Sequence, residues 1–173
     1  MPTILETRSR PWPDEAACAR DAALLAGRPA LADARIELHG PLGAGKTTFV
    51  RHLLRALGVA GAVKSPTYTL LEPHAADAAH GGFPIAHCDF YRFDDPSEWE
   101  DAGFRDVFSE PGLTLVEWPE KAAGLLPRPD LSLWIDTAAE PMGETTGHPD
   151  SAGEAPRVVT VVANTARGVQ LLW

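Results

Sequence analysis

Apolar residues recur along this chain with two periods, and the switching between them lays out its elements. Ala17, Cys18, Leu24 and Leu25 form one stripe of a helix predicted over Asp14–Ala26, with Pro13 and Asp14 suited to its start and Gly27 to its end. A short alternating run predicts a strand at Thr3–Glu6. Ala34–His39 alternates as a strand does, and the glycine-rich run Gly40–Gly45 follows it directly. Lys46–Leu57 then sets Phe49, Val50, Leu53, Leu54 and Leu57 on one helical face, with Gly58 as the stop. Strands are predicted at Thr67–Leu71, Pro84–Phe90, Leu113–Trp118, Leu131–Ile135 and Val158–Ala163, and Gly168–Trp173 continues apolar. Pro96–Ala102 reads as a short helix opened by Asp94 and Asp95, and Glu120–Leu125 as a helical turn ended by Pro127. This order of strands and helices indicates α/β architecture.

Thr137–Pro156 breaks the pattern, being rich in Gly, Pro, Ser, Thr and acid and nearly free of apolar residues. A loop of that length is uncommon in a compact domain, and the composition predicts a flexible insertion at 137–156. The 173 residues otherwise favour a single domain over 1–173. With 45% apolar and 23% charged residues, the composition is that of a soluble globular protein. No run approaches the ~20 apolar residues that span a bilayer. The N-terminus lacks the basic start and apolar run of a signal peptide, so the expectation is a cytoplasmic protein with no membrane partner. Cys18 and Cys88 alone make neither a metal cluster nor a disulfide framework. The net charge of −9 argues against a direct grip on the phosphate backbone of DNA or RNA.

Candidate chemistry enters with Gly40-Pro41-Leu42-Gly43-Ala44-Gly45-Lys46-Thr47, which matches the phosphate-loop pattern G-x-x-x-x-G-K-[ST] between a strand and an amphipathic helix. Glycines let successive backbone N–H groups point inward at phosphate oxygens, and the helix start adds its positive dipole end. Lys46 is expected at the β- and γ-phosphates, the Thr47 hydroxyl on Mg²⁺, and Thr48 at the α-phosphate. The rest of the site needs an acid for Mg²⁺ and a group to orient water. Asp89 and Glu117 each end a predicted strand, where ligands bind in open α/β sheets. A strand-end acid facing water, or a cap in the case of Asp89, is the other reading. Ser65-Pro66-Thr67-Tyr68-Thr69 lies where a switch segment can offer a threonine hydroxyl to Mg²⁺, although hydroxyls before strands are common. His39 and His87 read as packed strand residues, Trp99 and Trp118 as core or interface aromatics, and Cys88 as interior. Arg92 suits a phosphate or an ion pair equally.

Four runs taken together go further: G-P-L-G-A-G-K-T-T-F at 40–49, K-S-P-T-Y-T-L at 64–70, H-C-D-F-Y-R at 87–92 and L-V-E-W-P-E-K at 115–121. In order and spacing they resemble the TsaE (YjeE-type) P-loop ATPases of bacterial tRNA threonylcarbamoyladenosine biosynthesis. The resemblance implies a P-loop NTPase-type central, largely parallel sheet flanked by helices. It implies an ATPase that takes ATP and Mg²⁺ and supports turnover of the partners TsaD and TsaB, touching tRNA only through them. By motif it implies phosphate and Mg²⁺ binding by Lys46 and Thr47, a switch segment containing Ser65, Thr67 and Tyr68, and hydrolysis dependent on Asp89 and Glu117. Trp118 is implied to shape the site or the partner surface. No arginine finger is evident, so slow hydrolysis by the isolated protein is expected. Two other readings stay open: a small-molecule kinase, against which no arginine-rich lid follows Glu117, and a nucleotide switch without turnover.

Overall fold

The computed structural model describes residues 3–63, 70–95, 97–101, 103–138 and 155–173. A seven-stranded sheet forms its centre. In chain order the strands are β1 (Glu6–Trp12), β2 (Arg35–His39), β3 (Leu71–Ala75), β4 (Pro84–Asp89), β5 (Leu113–Glu117), β6 (Leu131–Thr137) and β7 (Arg157–Ala163), laid side by side as β1-β7-β6-β2-β5-β4-β3. The inner four, β6-β2-β5-β4, run parallel, and β1, β7 and β3 pair antiparallel at the flanks. All five residues of β5 are buried, as expected of a strand covered on both faces. Parallel pairing is what gathers the site: β2, β4 and β5 end at the same edge of the sheet.

Among the described residues five helices accompany the sheet: α1 (Glu15–Ala26), α2 (Lys46–Ala56), α3 (Ser97–Asp101), α4 (Phe104–Ser109) and α5 (Ala166–Leu171). The Asp14 side chain accepts from the Ala17 N–H and caps α1. Helices α1 and α2 cover one face, where Phe49, Leu53 and Leu54 pack in one core with Ile36, Leu38 and Leu133. Phe49 also stacks between Trp12 and Trp173, with centroids 5.5 and 6.4 Å away. A second cluster on α3, α4 and the β4–β5 strands joins Phe90, Trp99, Phe104 and Phe108 to Cys88 and Val116. Burial there pushes the Cys88 thiol up to about 12, so it stays protonated.

Several boundaries differ from the sequence expectation. The strand expected at Thr3–Glu6 is instead β1, Glu6–Trp12, because seven of its residues pair with β7. It is an edge strand exposed along most of its length, so it shows no alternation to read. The strand expected at Thr67–Leu71 is Leu71–Ala75, while 67–69 lie outside the described residues. The turn expected at Glu120–Leu125 is a 3-10 helix at Pro119–Ala122. Helices α4 and α5 were not foreseen. α4 is too short for periodicity to show and is held by the buried pair Phe104 and Phe108. α5 starts where the Thr165 hydroxyl accepts from the Gly168 N–H. The expected insertion begins and ends in a closed ladder: Thr137 pairs with Arg157, and the Ala138 N–H donates to the Pro156 carbonyl at 2.9 Å. Residues 139–154, most of that segment, lie outside the described residues. Among the described residues no helix is long and apolar enough to cross a membrane.

Asp21 ties β1 to α1. Its carboxylate receives Arg10 Nε and Nη2 and the Trp12 indole N–H, each at 2.8 Å. Burial alone would raise this carboxyl, but the bonds from Arg10 and Trp12 hold it below the ordinary 3.8. Asp21→Asn keeps the shape and removes the charge, and should cost about 2–3 kcal/mol in urea unfolding at pH 7. A depressed carboxyl stabilises the fold above its unfolded pKa. The difference between wild type and variant should therefore hold constant above pH ~5 and shrink as the pH drops below ~4.

Candidate functional site

The loop between β2 and α2 is bent by close backbone approach. Gly40 has φ +148, and a Cβ there would stand 2.4 Å from the Ile135 carbonyl oxygen of β6, so only glycine fits. Gly45 caps α2 in the left-handed region at φ 106. Beyond it the first N–H groups of α2 have no partner within the helix, and the helix start carries its positive dipole end. Lys46 is folded into that interior: its Nζ donates to the Gly40 and Pro41 carbonyls at 2.5 and 2.9 Å. The ammonium also lies 4.1 Å from the centroid of the Trp118 ring. Burial draws its pKa below the usual lysine range, against the opposite pull of Glu117, Glu120 and Asp89.

A cleft of about 480 Å³ opens over this loop. Seven of the predicted phosphate-loop residues, Leu42, Gly43, Ala44, Gly45, Lys46, Thr47 and Thr48, line it, together with both candidate acids. Asp89 and Glu117 are register partners at the ends of β4 and β5. Their surroundings differ. Asp89 is half-buried and accepts from the Tyr91 N–H at 3.0 Å, so it caps the turn that follows β4 while facing the cleft. Glu117 is 2% exposed, and its Oε1 receives the Thr47 hydroxyl at 2.7 Å. A hydroxyl and a carboxylate meeting beside a phosphate loop make an all-oxygen donor pair, the chemistry a hard cation such as Mg²⁺ requires. Among the described residues no group of three or more His, Cys, Asp or Glu could hold a metal. The donor pair thus fits an ion that takes its other ligands from water and phosphate.

Two features were not legible in the sequence. His87, read there as a packed residue, is buried but also polar in role: its Nε2 lies 2.6 Å from Glu117 Oε2. Arg157, at the start of β7, donates from Nη2 to the Gly43 carbonyl at 3.0 Å, bringing a guanidinium to the loop from 114 positions away. Trp118 is more than a core aromatic. It adopts φ 55, the one positive-φ non-glycine among the described residues, and its ring meets Tyr91 at 4.9 Å. His39 stacks on Trp134 at 3.9 Å and bonds Glu37, on the sheet face away from α2. Arg92 lines the cleft, exposed. The switch segment containing Ser65, Thr67 and Tyr68 lies outside the described residues.

Comparison with known proteins places this architecture. The family model described as "Threonylcarbamoyl adenosine biosynthesis protein TsaE" matches residues 13–144. The tRNA threonylcarbamoyladenosine biosynthesis protein TsaE of Haemophilus influenzae is 46% identical over 101 residues, covering 58% of this chain and 61% of that protein. Its Bacillus subtilis namesake is 37% identical over 111 residues, covering 64% of this chain and 66% of that one. The chain thus spans a little under two thirds of either relative. The crystal structure of Bacillus subtilis YdiB shares the fold with a TM-score of 0.70 at 25% identity, covering 98% of this chain and 93% of that one. A match through most of its length, spanning the loop and strand ends described above, shows that this chain belongs to the TsaE family.

Proposed function

We propose that this protein binds and hydrolyses Mg-ATP, and that hydrolysis supports turnover of the complex that forms threonylcarbamoyladenosine on tRNA, without this chain performing the transfer. The hydrogen bond from Thr47 to Glu117 beside the phosphate loop carries the proposal. It supplies the donor pair for a metal where the loop supplies the N–H groups for phosphates. The link to tRNA modification rests on the names of the relatives, and the partners TsaD and TsaB on the motif resemblance.

Each residue then has a task that its geometry suits. The loop amides and the α2 dipole bind the phosphates, and Lys46 leaves the Gly40 and Pro41 carbonyls for the more strongly attracting phosphate oxygens. Thr47 and Glu117 hold Mg²⁺, and Asp89, open to the cleft, orients water. Bound magnesium supplies positive charge against the negative charge that builds on the transferring phosphoryl group. Trp118 and Tyr91 wall the cleft. Among the described residues that line the cleft, the cations beside Lys46 are Arg92 and Arg157.

The purified protein should release inorganic phosphate from ATP without an added acceptor, far more slowly than the ~10 s⁻¹ typical of enzymes. Adding TsaD and TsaB should raise that rate, and with tRNA present the count of modified tRNA per complex should exceed one only when this protein is included. An unchanged yield without it would remove the proposed role. Glu117→Gln and Asp89→Asn should each lower kcat by about 100-fold or more while ATP binding persists. Only the Glu117 variant should need more Mg²⁺ for half-maximal rate, and a metal titration of both variants separates the two acids.

A further inference from the structure

We propose that His87 is a positioning residue for Glu117: it holds one carboxylate oxygen so that the other stays presented to Thr47 and to the metal ion. The proposal rests on the Mg-ATP reading and extends it to the first residue of the run H-C-D-F-Y-R, to which no role beyond packing had been assigned.

The terminal torsion of a glutamate is broad and roughly two-fold, so a lone Glu117 would share its two oxygens among many directions. Here each oxygen has its own donor. Thr47 Oγ1 reaches Oε1 at 2.7 Å and His87 Nε2 reaches Oε2 at 2.6 Å. The donors come from different elements, α2 and β4, so the carboxylate plane is fixed from two sides. A carboxylate with one bond on each oxygen still has lone pairs left for a cation.

Among the described residues the imidazole makes no other hydrogen bond. His87 is 0% exposed, and its Nδ1 is buried with no hydrogen-bond partner among the described residues. A nitrogen left bare of a proton tolerates this better than an N–H would, which places the ring's proton on Nε2, donating to Glu117. An aliphatic side chain would fill the same core position with no orphaned nitrogen. The carboxylate accounts for the imidazole. The alignment follows from the ladder: His87 is the register partner of Leu115, two residues short of Glu117, on the face that Glu117 and Ile85 share. Glu72, opposite His87 on β3, is half-buried.

The test compares His87→Leu, which deletes the donor, with His87→Gln, whose amide nitrogen restores it at similar reach. Binding of ADP is measured in EDTA and across a Mg²⁺ titration, alongside kcat over the same titration. The leucine variant should bind ADP in EDTA as wild type does, yet need ~10–100-fold more Mg²⁺ for half-maximal binding and rate. Glutamine should return that midpoint most of the way to the wild-type value. A merely structural histidine would change melting temperature and leave the Mg²⁺ midpoint in place, and that result would overturn the proposal. If the leucine variant does not fold, His87→Asn, whose amide stops short of Oε2, takes its place with the same expectation. A wild-type protein whose ADP affinity is indifferent to Mg²⁺ would overturn the Mg-ATP reading and this role together. A leucine variant with the wild-type midpoint would overturn this role alone.

Discussion

A carboxylate buried in a protein interior must be met by donors or metal, because desolvating it alone costs several kcal/mol. Glu117 is that carboxylate here. It sits at the end of β5, a strand with neighbours on both sides and cover on both faces, and so has little access to water. Its neighbours are arranged around the need: Thr47 at the first turn of α2 bonds one oxygen, His87 on β4 the other, and the Lys46 ammonium contributes positive charge nearby. The parallel pairing of β2, β4 and β5 is what allows it. An antiparallel β4 would carry Asp89 to the opposite edge and leave the loop after β2 without its acids.

How much of this the sequence discloses depends on how local each determinant is. The phosphate loop is a contiguous run whose glycines, lysine and threonine act within a single turn, so it reads directly from residues 40–47. Asp89 and Glu117 are also legible, because an acid closing an apolar strand marks an edge where ligands bind. His87 and Arg157 are not. Their partners lie far along the chain, Glu117 for His87 and the Gly43 carbonyl for Arg157, and no local pattern encodes such a meeting. β1 was misplaced for a related cause: as an edge strand its partner determines it and its own pattern does not.

Charge follows the same division between local and distant effects. Of the −9 total, −4 lies in residues 137–156, which contain Glu140, Glu144, Asp150 and Glu154 and no lysine or arginine. The remainder of the chain is only moderately acidic. Three of its arginines are committed to structure: Arg10 to Asp21, Arg35 to the Phe108 carbonyl, and Arg128 to the Asn164 carbonyl. Such a surface suits a protein that meets an RNA-modifying assembly through protein partners, the arrangement proposed above.

Trp118 sits in a conformation that bulky L-residues avoid, at a cost of order 1–3 kcal/mol. Glycine or asparagine at 118 would relax the backbone, but the ring over Lys46 would be gone. A search for heat-tolerant versions of this protein would therefore be drawn to replace that tryptophan first. The gain in endurance would come at the residue that closes one wall of the cleft, so under the proposed function selection for thermostability and selection for turnover pull this position in opposite directions.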